Sequence, residues 1–289
     1  MGSLTRGLAL LLASILAFAV MNALVKLATA QYPFGQVIFL RSAVALVPAY
    51  LMVRWLGGRS VFRPSSKRMM FWLSALVVGS MLSGFASFHW LPYADATFYS
   101  FVGPILITAL SAYLLGEIIG RRRWVAVLVG LAGVVLITPP GAGMFTLGVM
   151  AALLSAFLFA LGMVLTRQCS LSEHPAAIVF YFSLLATMVG LLWLPFGWRH
   201  PDPWGWLLMI GAGLFGALGQ YTQTQAFRIT SPTVCGVVSY VRIVLAVSLG
   251  YLIWDEIPTF MTFVGCVIVI ASGLFLIVDE WRRRPQPVR

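Results

Sequence analysis

Apolar runs long enough to cross a lipid bilayer recur along the whole chain and constrain its fold more than any other feature. Of the 289 residues, 61% are hydrophobic and only 9% are charged, whereas soluble domains carry about 25% charged residues. A membrane-spanning helix needs about 20 consecutive apolar residues. Ten such spans joined by short loops account for nearly the entire sequence, which predicts an all-α integral membrane protein.

Proline and glycine residues separate the predicted spans. The first span, from Leu8 to Ala30, is too long for the apolar region of a signal peptide, so we expect it to stay in the membrane. A short uncharged hinge at 139–144 divides the chain into two five-span halves, 1–139 and 140–289. The predicted spans are 7–30, 33–54, 70–90, 93–115, 124–139, 146–168, 176–196, 205–227, 232–254 and 259–279.

The distribution of Lys and Arg predicts the orientation in the membrane. If the N-terminus is cytoplasmic, fifteen loop or terminal cations lie on the cytoplasmic side and only Arg199 lies opposite. Cytoplasmic loops of membrane proteins carry this excess, so we expect both termini inside and no nucleic-acid partner despite the net charge of +11. The fifteen are Arg6, Arg54, Arg59, Arg63, Lys67, Arg68, Arg121, Arg122, Arg123, Arg167, Arg228, Arg282, Arg283, Arg284 and Arg289.

The two halves align with each other. Three pairs of segments match in the same order: 227–256 with 88–117 at an offset of 139 residues, span 6 with span 1 at 141, and span 10 with span 5 at 140. Such agreement predicts a duplicated unit. The matched pairs include Ser100 with Ser239, Val102 with Val241, Glu117 with Glu256, Phe18 with Phe159, Lys26 with Arg167 and Gly133 with Gly273.

An odd number of spans in each unit places the second copy upside down in the membrane. Lys26 then ends its span outside while Arg167 ends its span inside, and Glu117 lies inside while Glu256 lies outside. Many secondary transporters use such inverted repeats to build a substrate site near the midplane. We therefore predict two inverted repeats around a central cavity that works by alternating access.

Arg242 is the sharpest candidate for a binding residue. A guanidinium near the middle of a membrane helix costs about 2.5–3.5 kcal/mol on insertion scales and marks function by default. It is predicted either to anchor a substrate carboxylate or phosphate, with Tyr240 nearby for stacking or hydrogen bonding, or to serve as a structural counter-charge. All eight acidic residues lie near span ends or in loops, so we expect an anionic or zwitterionic substrate.

Polar and aromatic residues form stripes along several spans and are the other cavity candidates. The amides of span 8 favour a cavity, since amides in a bilayer seek partners or water. The small residues of span 3 are equally typical of close helix packing. The cavity candidates beside Arg242 and Tyr240 are Gln220, Gln223, Phe18, Asn22, Ser87, Tyr99, Ser100, Phe101, Phe159 and Met163.

Five further residues are candidates for gates or hinges. Lys26, Asp95 and Glu256 are expected near the outer surface, where they predict either an ion-pair gate or, for Lys26, simple snorkelling to the interface. Arg41 lies about eight residues into span 2 and is predicted to line a gate or the cavity. Pro104 removes a backbone hydrogen bond from span 4 and predicts a kink.

No catalytic or metal-binding pattern is present in the sequence. It lacks HExxH, GxSxG and P-loop motifs, and Cys169, Cys235 and Cys266 have no metal or disulfide spacing. We therefore expect neither an enzyme nor a cofactor or metal.

The two units resemble the paired EamA-type domains of the drug/metabolite transporter superfamily. The marks are Leu91-Pro92 before span 4, Pro104 within it, Gly116-Glu117 at its end, and the AGVVLI segment 132–137. The second unit departs from this pattern, because it has Asp255-Glu256 at the end of its fourth span and Ile243 where the proline would fall.

The resemblance implies a cavity lined by spans 1–4 and 6–9, with spans 5 and 10 peripheral. It also implies transport of small metabolites through a bacterial inner membrane by a monomer, or by a homodimer formed through helices 5 and 10. Our first expectation is export of amino acids, including aromatic ones. The alternatives are another anionic or zwitterionic metabolite, such as a nucleotide-like compound or a vitamin, and a flippase or scaffold component for lipid-linked substrates.

Overall fold

The computed structural model describes residues 2–56, 64–103, 106, 110, 121–137, 146–169, 173–229, 238 and 241–283. Throughout these residues the chain forms helices and no strand, which confirms the all-α class. Short 3-10 helices at Ser100–Val102 and Leu194–Phe196 extend α4 and α7. Helices α1 to α10 are Gly2–Thr29, Phe34–Leu56, Lys67–Trp90, Tyr93–Tyr99, Arg121–Ile137, Leu147–Cys169, Pro175–Trp193, Pro203–Ile229, Val241–Trp254 and Phe260–Arg283.

Each of these helices overlaps one predicted span. By length and hydropathy, four described segments could cross a membrane: Thr5–Thr29, Phe34–Trp55, Lys67–Trp90 and Ala176–Phe196. Parts of spans 4 and 9, with Pro104 and Tyr240 among them, lie outside the described residues. The number of ten spans therefore stays a prediction.

Local sequence signals set the helix ends. Ser66 caps α3, because its hydroxyl accepts the Met69 N–H at 3.3 Å, and Pro175 occupies the first turn of α7, where a missing N–H does no harm. Helix α9 ends at Trp254 and is followed by Asp255, whose φ of 57° is left-handed. The Asp255 N–H donates to Tyr251 O at 3.0 Å, which is the usual bond of a left-handed helix cap. This turn directs Glu256 back towards α1 and α4.

Helix packing follows a twofold pattern. The extensive contacts are α1 with α8, α3 with α6, α2 with α7, and α5 with α10; α4 packs on α9 less extensively. If each helix number is raised by five, with α1 following α10, the α1–α8 pair becomes the α6–α3 pair. The other three pairs convert into themselves. The contacts are thus those of two repeats related by a twofold axis.

Small residues bring helices of the two halves together. Ser80 on α3 and Ser155 on α6 each donate a hydroxyl proton to the other's carbonyl, at 2.9 and 2.8 Å. A Cβ on Gly133 of α5 would lie 2.9 Å from Gly265 O of α10, and the Ser272 hydroxyl of α10 donates to Ala126 O of α5. These contacts show that the small-residue faces of spans 3, 5 and 10 pack helices, as membrane helices commonly do.

A glycine face on α8 brings α1 and α2 close to the centre of the molecule. A Cβ on Gly213 would lie 2.6 Å from Arg41 O of α2, and one on Gly219 would lie 3.0 Å from the Phe18 ring of α1. Gly216 lies between them, and a Cβ on it would lie 3.0 Å from Met21 Sδ. This close approach places Phe18, Met21 and Arg41 around α8.

Candidate functional site

Arg41 on α2 is a buried cation without a carboxylate. Its side chain is 2% exposed, and its Nε has no hydrogen-bond partner. Nη1 lies 3.6 Å from Met21 Sδ, a weak acceptor, and the guanidinium carbon lies 5.1 Å from the centre of the Phe85 ring. No carboxylate in the described part of the chain forms an ion pair with it. Its charge is therefore balanced by no protein group among those residues.

Arg242 on α9 is half-buried but resembles Arg41 at its guanidinium. Its Nε is buried and has no hydrogen-bond partner, and its guanidinium carbon lies 6.0 Å from the centre of the Phe18 ring. It interacts electrostatically with the Tyr93 hydroxyl. As with Arg41, no described carboxylate forms an ion pair with it.

Tyr93, the first residue of α4, connects the polar groups of this region, and sequence reasoning missed it. Its side chain is 1% exposed, its hydroxyl donates to Ala19 O at 3.0 Å, and the same hydroxyl interacts with the side chain of Asn22. Its ring stacks on Trp254 with centroids 5.4 Å apart. The position after Pro92 marks a helix start, but nothing in that signal indicates which way the ring points.

An aromatic wall joins the two arginines. The Phe85 ring beside Arg41 stacks on Phe88 at 6.1 Å, and Phe88 packs on Tyr93 at 5.4 Å. The guanidinium groups also approach one face of α1, where Phe18 and Met21 are three residues apart and hence about 4.5 Å apart along the axis. We call the region bounded by α1, α8 and this wall, with Arg41 and Arg242 on it, the two-arginine region.

The repeat places a glycine in one half where the other half has Arg242. At the offset of 139 residues that matches Val241 with Val102, Arg242 falls on Gly103. The structure agrees, because Phe159, the counterpart of Phe18, lies 3.6 Å from the Cβ position of Gly103. The two equivalent phenylalanines therefore face different groups. Phe159 faces the hydrogen of Gly103, and Phe18 faces the guanidinium of Arg242.

The predicted gate residues Lys26, Asp95 and Glu256 meet at one end of the bundle. Lys26 Nζ forms an ion pair with Glu256 Oε1 at 2.6 Å and lies 4.5 Å from the centre of the Trp254 ring. Glu256 Oε2 accepts the backbone N–H of Tyr93 at 2.6 Å, so one carboxylate joins α1, α4 and the end of α9. Asp95 is 8% exposed and close enough to interact with both charges.

Loops at the same end are also bonded across the halves. The Tyr32 hydroxyl, just after α1, donates to Asp202 Oδ1 at 2.5 Å, just before α8. This bond and the hydrogen bond from the Gly205 N–H lower the pKa of Asp202. The bond to Asp202 raises the pKa of Tyr32. Gln36 donates to Arg199 O at 2.7 Å and accepts the Arg199 N–H at 2.9 Å. We call this end, with the Lys26–Glu256 pair, the closed end.

Several predicted cavity residues lie near the two-arginine region. Asn22 reaches Tyr93, and Phe18 faces Arg242. Gln220 and Gln223 are half-buried on α8, at helical spacing from Gly216 and Gly219.

Other candidates lie elsewhere. Tyr99 is fully buried in an apolar cluster formed by α4, α5, α6 and α10. The Ser87 hydroxyl donates to Gly84 O at 2.6 Å and that of Ser100 to Thr97 O at 2.6 Å. Phe159 lies against Gly103, Met163 is half-buried on α6, and Phe101 belongs to the 3-10 helix after α4.

Comparison with known proteins identifies the family. The sequence pattern of the EamA-like transporter family matches two stretches, residues 5–138 and 146–278. The chain belongs to the EamA-like transporter family. A chain of known crystal structure shares the fold of this EamA-like protein with a TM-score of 0.71 at 20% identity, covering 98% of this chain and 100% of that one.

Relatives of this EamA-like protein are named for different solutes. The pseudopaline exporter CntI of Pseudomonas aeruginosa is 33% identical over 268 residues, which cover 90% of this chain and 91% of the relative. A riboflavin transporter of Vibrio cholerae is 27% identical, covering 93% and 91%. An S-adenosylmethionine uptake transporter of Rickettsia prowazekii is 28% identical, covering 65% and 64%. The chain is therefore an integral membrane transporter of small molecules and not an enzyme.

Proposed function

We propose that this transporter moves a small anionic or zwitterionic metabolite across the bacterial inner membrane by alternating access, with amino-acid export as the first candidate. The observation that carries the proposal is the buried, unpartnered Nε of Arg242, which faces residues of the first half of the chain. A guanidinium placed there binds a carboxylate with strong, directional hydrogen bonds. Its location between the halves suits a site that is exposed to each side in turn.

The family alone does not choose a substrate, because the relatives named above transport different solutes and in different directions. The preference for an amino acid rests on this chain's own residues. Arg242 suits the carboxylate, while the Asn22 amide and the Tyr93 hydroxyl offer polar partners beside aromatic rings. With the predicted topology, in which both termini are cytoplasmic, the closed end faces the periplasm.

Transport by purified protein in liposomes tests the proposal. Wild-type protein is expected to carry radiolabelled amino acids, and Arg242→Ala is expected to lower their apparent affinity about 10- to 100-fold. A hydrogen bond to a charged group contributes about 1.5–3 kcal/mol, and 1.4 kcal/mol is tenfold. Arg242→Lys, which keeps the charge but not the planar fork, should retain part of the affinity.

The control is Arg54→Ala, which removes an exposed cation from the end of α2 and should leave transport unchanged. Wild-type protein that carries no amino acid and no other small anionic solute would contradict the proposal. That result would favour the alternative, in which the protein is a component that acts on lipid-linked substrates. Normal flux through Arg242→Ala would remove this residue from the site.

A further inference from the structure

The two-arginine region holds two positive charges and, among the described residues, no negative one. Moving an ion out of water is unfavourable even after the protein relaxes. The ring contacts of Arg41 with Phe85 and of Arg242 with Phe18 offset only a small part of this cost. Neither contact supplies an acceptor for the buried Nε atoms. Each guanidinium therefore requires an anion or water that the described residues do not provide.

The contrast with the closed end strengthens this reading. Lys26 has a carboxylate at 2.6 Å and an aromatic ring at 4.5 Å. At the closed end, where the helices are bonded to one another, the cation Lys26 thus has a carboxylate partner. Arg41 and Arg242 have none among the described residues, where the two halves face each other.

The positions of the two guanidinium groups along α1 suit contact with one small molecule. They approach the same face of α1 at Met21 and Phe18, about one helical turn apart. Phe85, Phe88 and Tyr93 form a continuous apolar wall between them. A ligand that reaches both cations must therefore have an organic spacer that packs on rings.

We propose that Arg41 and Arg242 bind two separate anionic groups of one substrate, which makes the substrate class a small amino acid with two carboxylates. This inference rests on the proposed function and narrows its substrate. The amino group of such a substrate finds hydrogen-bond acceptors in the Asn22 amide oxygen and the Tyr93 hydroxyl oxygen. A simple phosphate monoester carries both charges on one group and offers no second, separate anion.

Matched acid and amide pairs test the proposal on the wild-type protein. Competition against tracer flux, and the thermal shift of the purified protein on ligand addition, are measured with L-glutamate against L-glutamine and L-aspartate against L-asparagine. At least one acid is expected to bind about tenfold or more tightly than its amide, because the amide leaves one guanidinium without an anion. O-phosphoethanolamine, which carries an amino group and a phosphate but no carboxylate, is expected to bind more weakly than that acid.

Variants then assign the second charge. Arg41→Ala should remove the preference for acid over amide while leaving the affinity for the amide within about threefold. Arg41→Lys should keep part of the preference, and Arg54→Ala on the same helix should change neither affinity. Because Arg41 is buried, the thermal unfolding of each variant is compared with wild type before ligand is added.

The outcomes separate the two proposals. Amino-acid transport with equal affinity for acid and amide in the wild-type protein would overturn the two-carboxylate substrate and leave the proposed function standing. Tighter binding of O-phosphoethanolamine than of every dicarboxylate would overturn it in favour of a single doubly charged group. Absence of flux with any small anionic solute would overturn the proposed function itself.

Discussion

Single residues show two arrangements of a cation inside the helix bundle of this transporter. Lys26 is 12% exposed and is neutralised by Glu256, whereas Arg41 and Arg242 lack carboxylate partners in the described part of the chain. A guanidinium remains protonated at any physiological pH, so Arg41 and Arg242 stay available to an anion. A residue's chemical role here depends on its neighbours in the other half of the chain.

The Lys26–Glu256 pair is expected to hold the closed end together. Lys26→Met and Glu256→Met should each lower the thermal stability, with Glu256→Met the more harmful because methionine has no oxygen to accept the Tyr93 N–H. A double-mutant cycle in purified protein should give a coupling of about 0.5–3 kcal/mol. The exchanged pair Lys26→Glu with Glu256→Lys should recover only part of the loss, since a lysine cannot accept that N–H. Additive effects of the two substitutions would show that Lys26 and Glu256 do not stabilise each other.

Sequence reasoning predicted that three charged residues lie near one surface, and in the structure they interact with one another, but it could not orient every side chain. The positions of Lys26, Asp95 and Glu256 at span ends were enough to predict that they lie near one surface. Tyr93 was missed and Tyr99 proved to lie in an apolar cluster, because spacing along a short span does not fix its rotation. The Ser87 and Ser100 hydroxyls bond to carbonyls of their own helices, a local alternative that serine always offers.

Among the helices, contact distances rather than hydrophobicity decide which glycines tolerate a side chain. A Cβ on Gly190 of α7 would lie 2.6 Å from the Phe39 backbone N and Cα of α2. Gly190→Ala is expected to force these helices apart and to lower stability by about 1–3 kcal/mol. Thermal unfolding of the purified variant measures the loss.

Gly162→Ala on α6 is the matched control. Its Cβ would lie 3.4 Å from a Val77 methyl, an ordinary contact, and alanine has the higher helix propensity. We expect unchanged or slightly higher stability for this variant. Equal behaviour of the two variants would show that α2 and α7 do not approach as closely as described.

The Tyr32–Asp202 bond links two loops and makes the stability of the closed end depend on pH. The pKa of Asp202 is lowered from 3.8, so its stabilisation is present above that value and is lost as the pH falls through the lower pKa of the folded state. The pKa of Tyr32 is raised from 10.0, so its stabilisation is present below that value and is lost as the pH rises through the raised pKa.

Tyr32→Phe tests this dependence. The variant should unfold at a lower temperature than wild type between about pH 4 and 10. The difference should shrink in more acidic solution, where Asp202 is protonated in both proteins. A difference that does not change with pH would show that the bond to Asp202 is not its source.

For the whole molecule, the sequence predicted the duplication and the structure supplies its packing. Offsets near 140 residues matched segments of the two halves, and the helix contacts obey the corresponding twofold relation. Which helices touch could not be derived, because hydrophobic surface faces lipid and protein alike in a membrane. Arg41 was assigned only to a gate or the cavity, since its lack of a carboxylate partner depends on helices distant in sequence.

The orientation of the molecule stays a prediction from its loop charges. With native cysteines replaced, a cysteine at His200 should react with a membrane-impermeant maleimide added to intact cells. A cysteine at Ser66 should react only after the inner membrane is permeabilised, because its loop lies among the fifteen cytoplasmic cations. Labelling of Ser66→Cys in intact cells would reverse the assignment.

The pairing of Gly103 with Arg242 means that the two directions of transport are not mirror images. A protein with identical halves would meet its solute equally well from either compartment. Here the cation belongs to one half throughout the cycle, so the half-saturating concentration should differ between the two faces. In the absence of an energy source the limiting velocities must then differ by the same ratio, because a passive carrier cannot accumulate its solute.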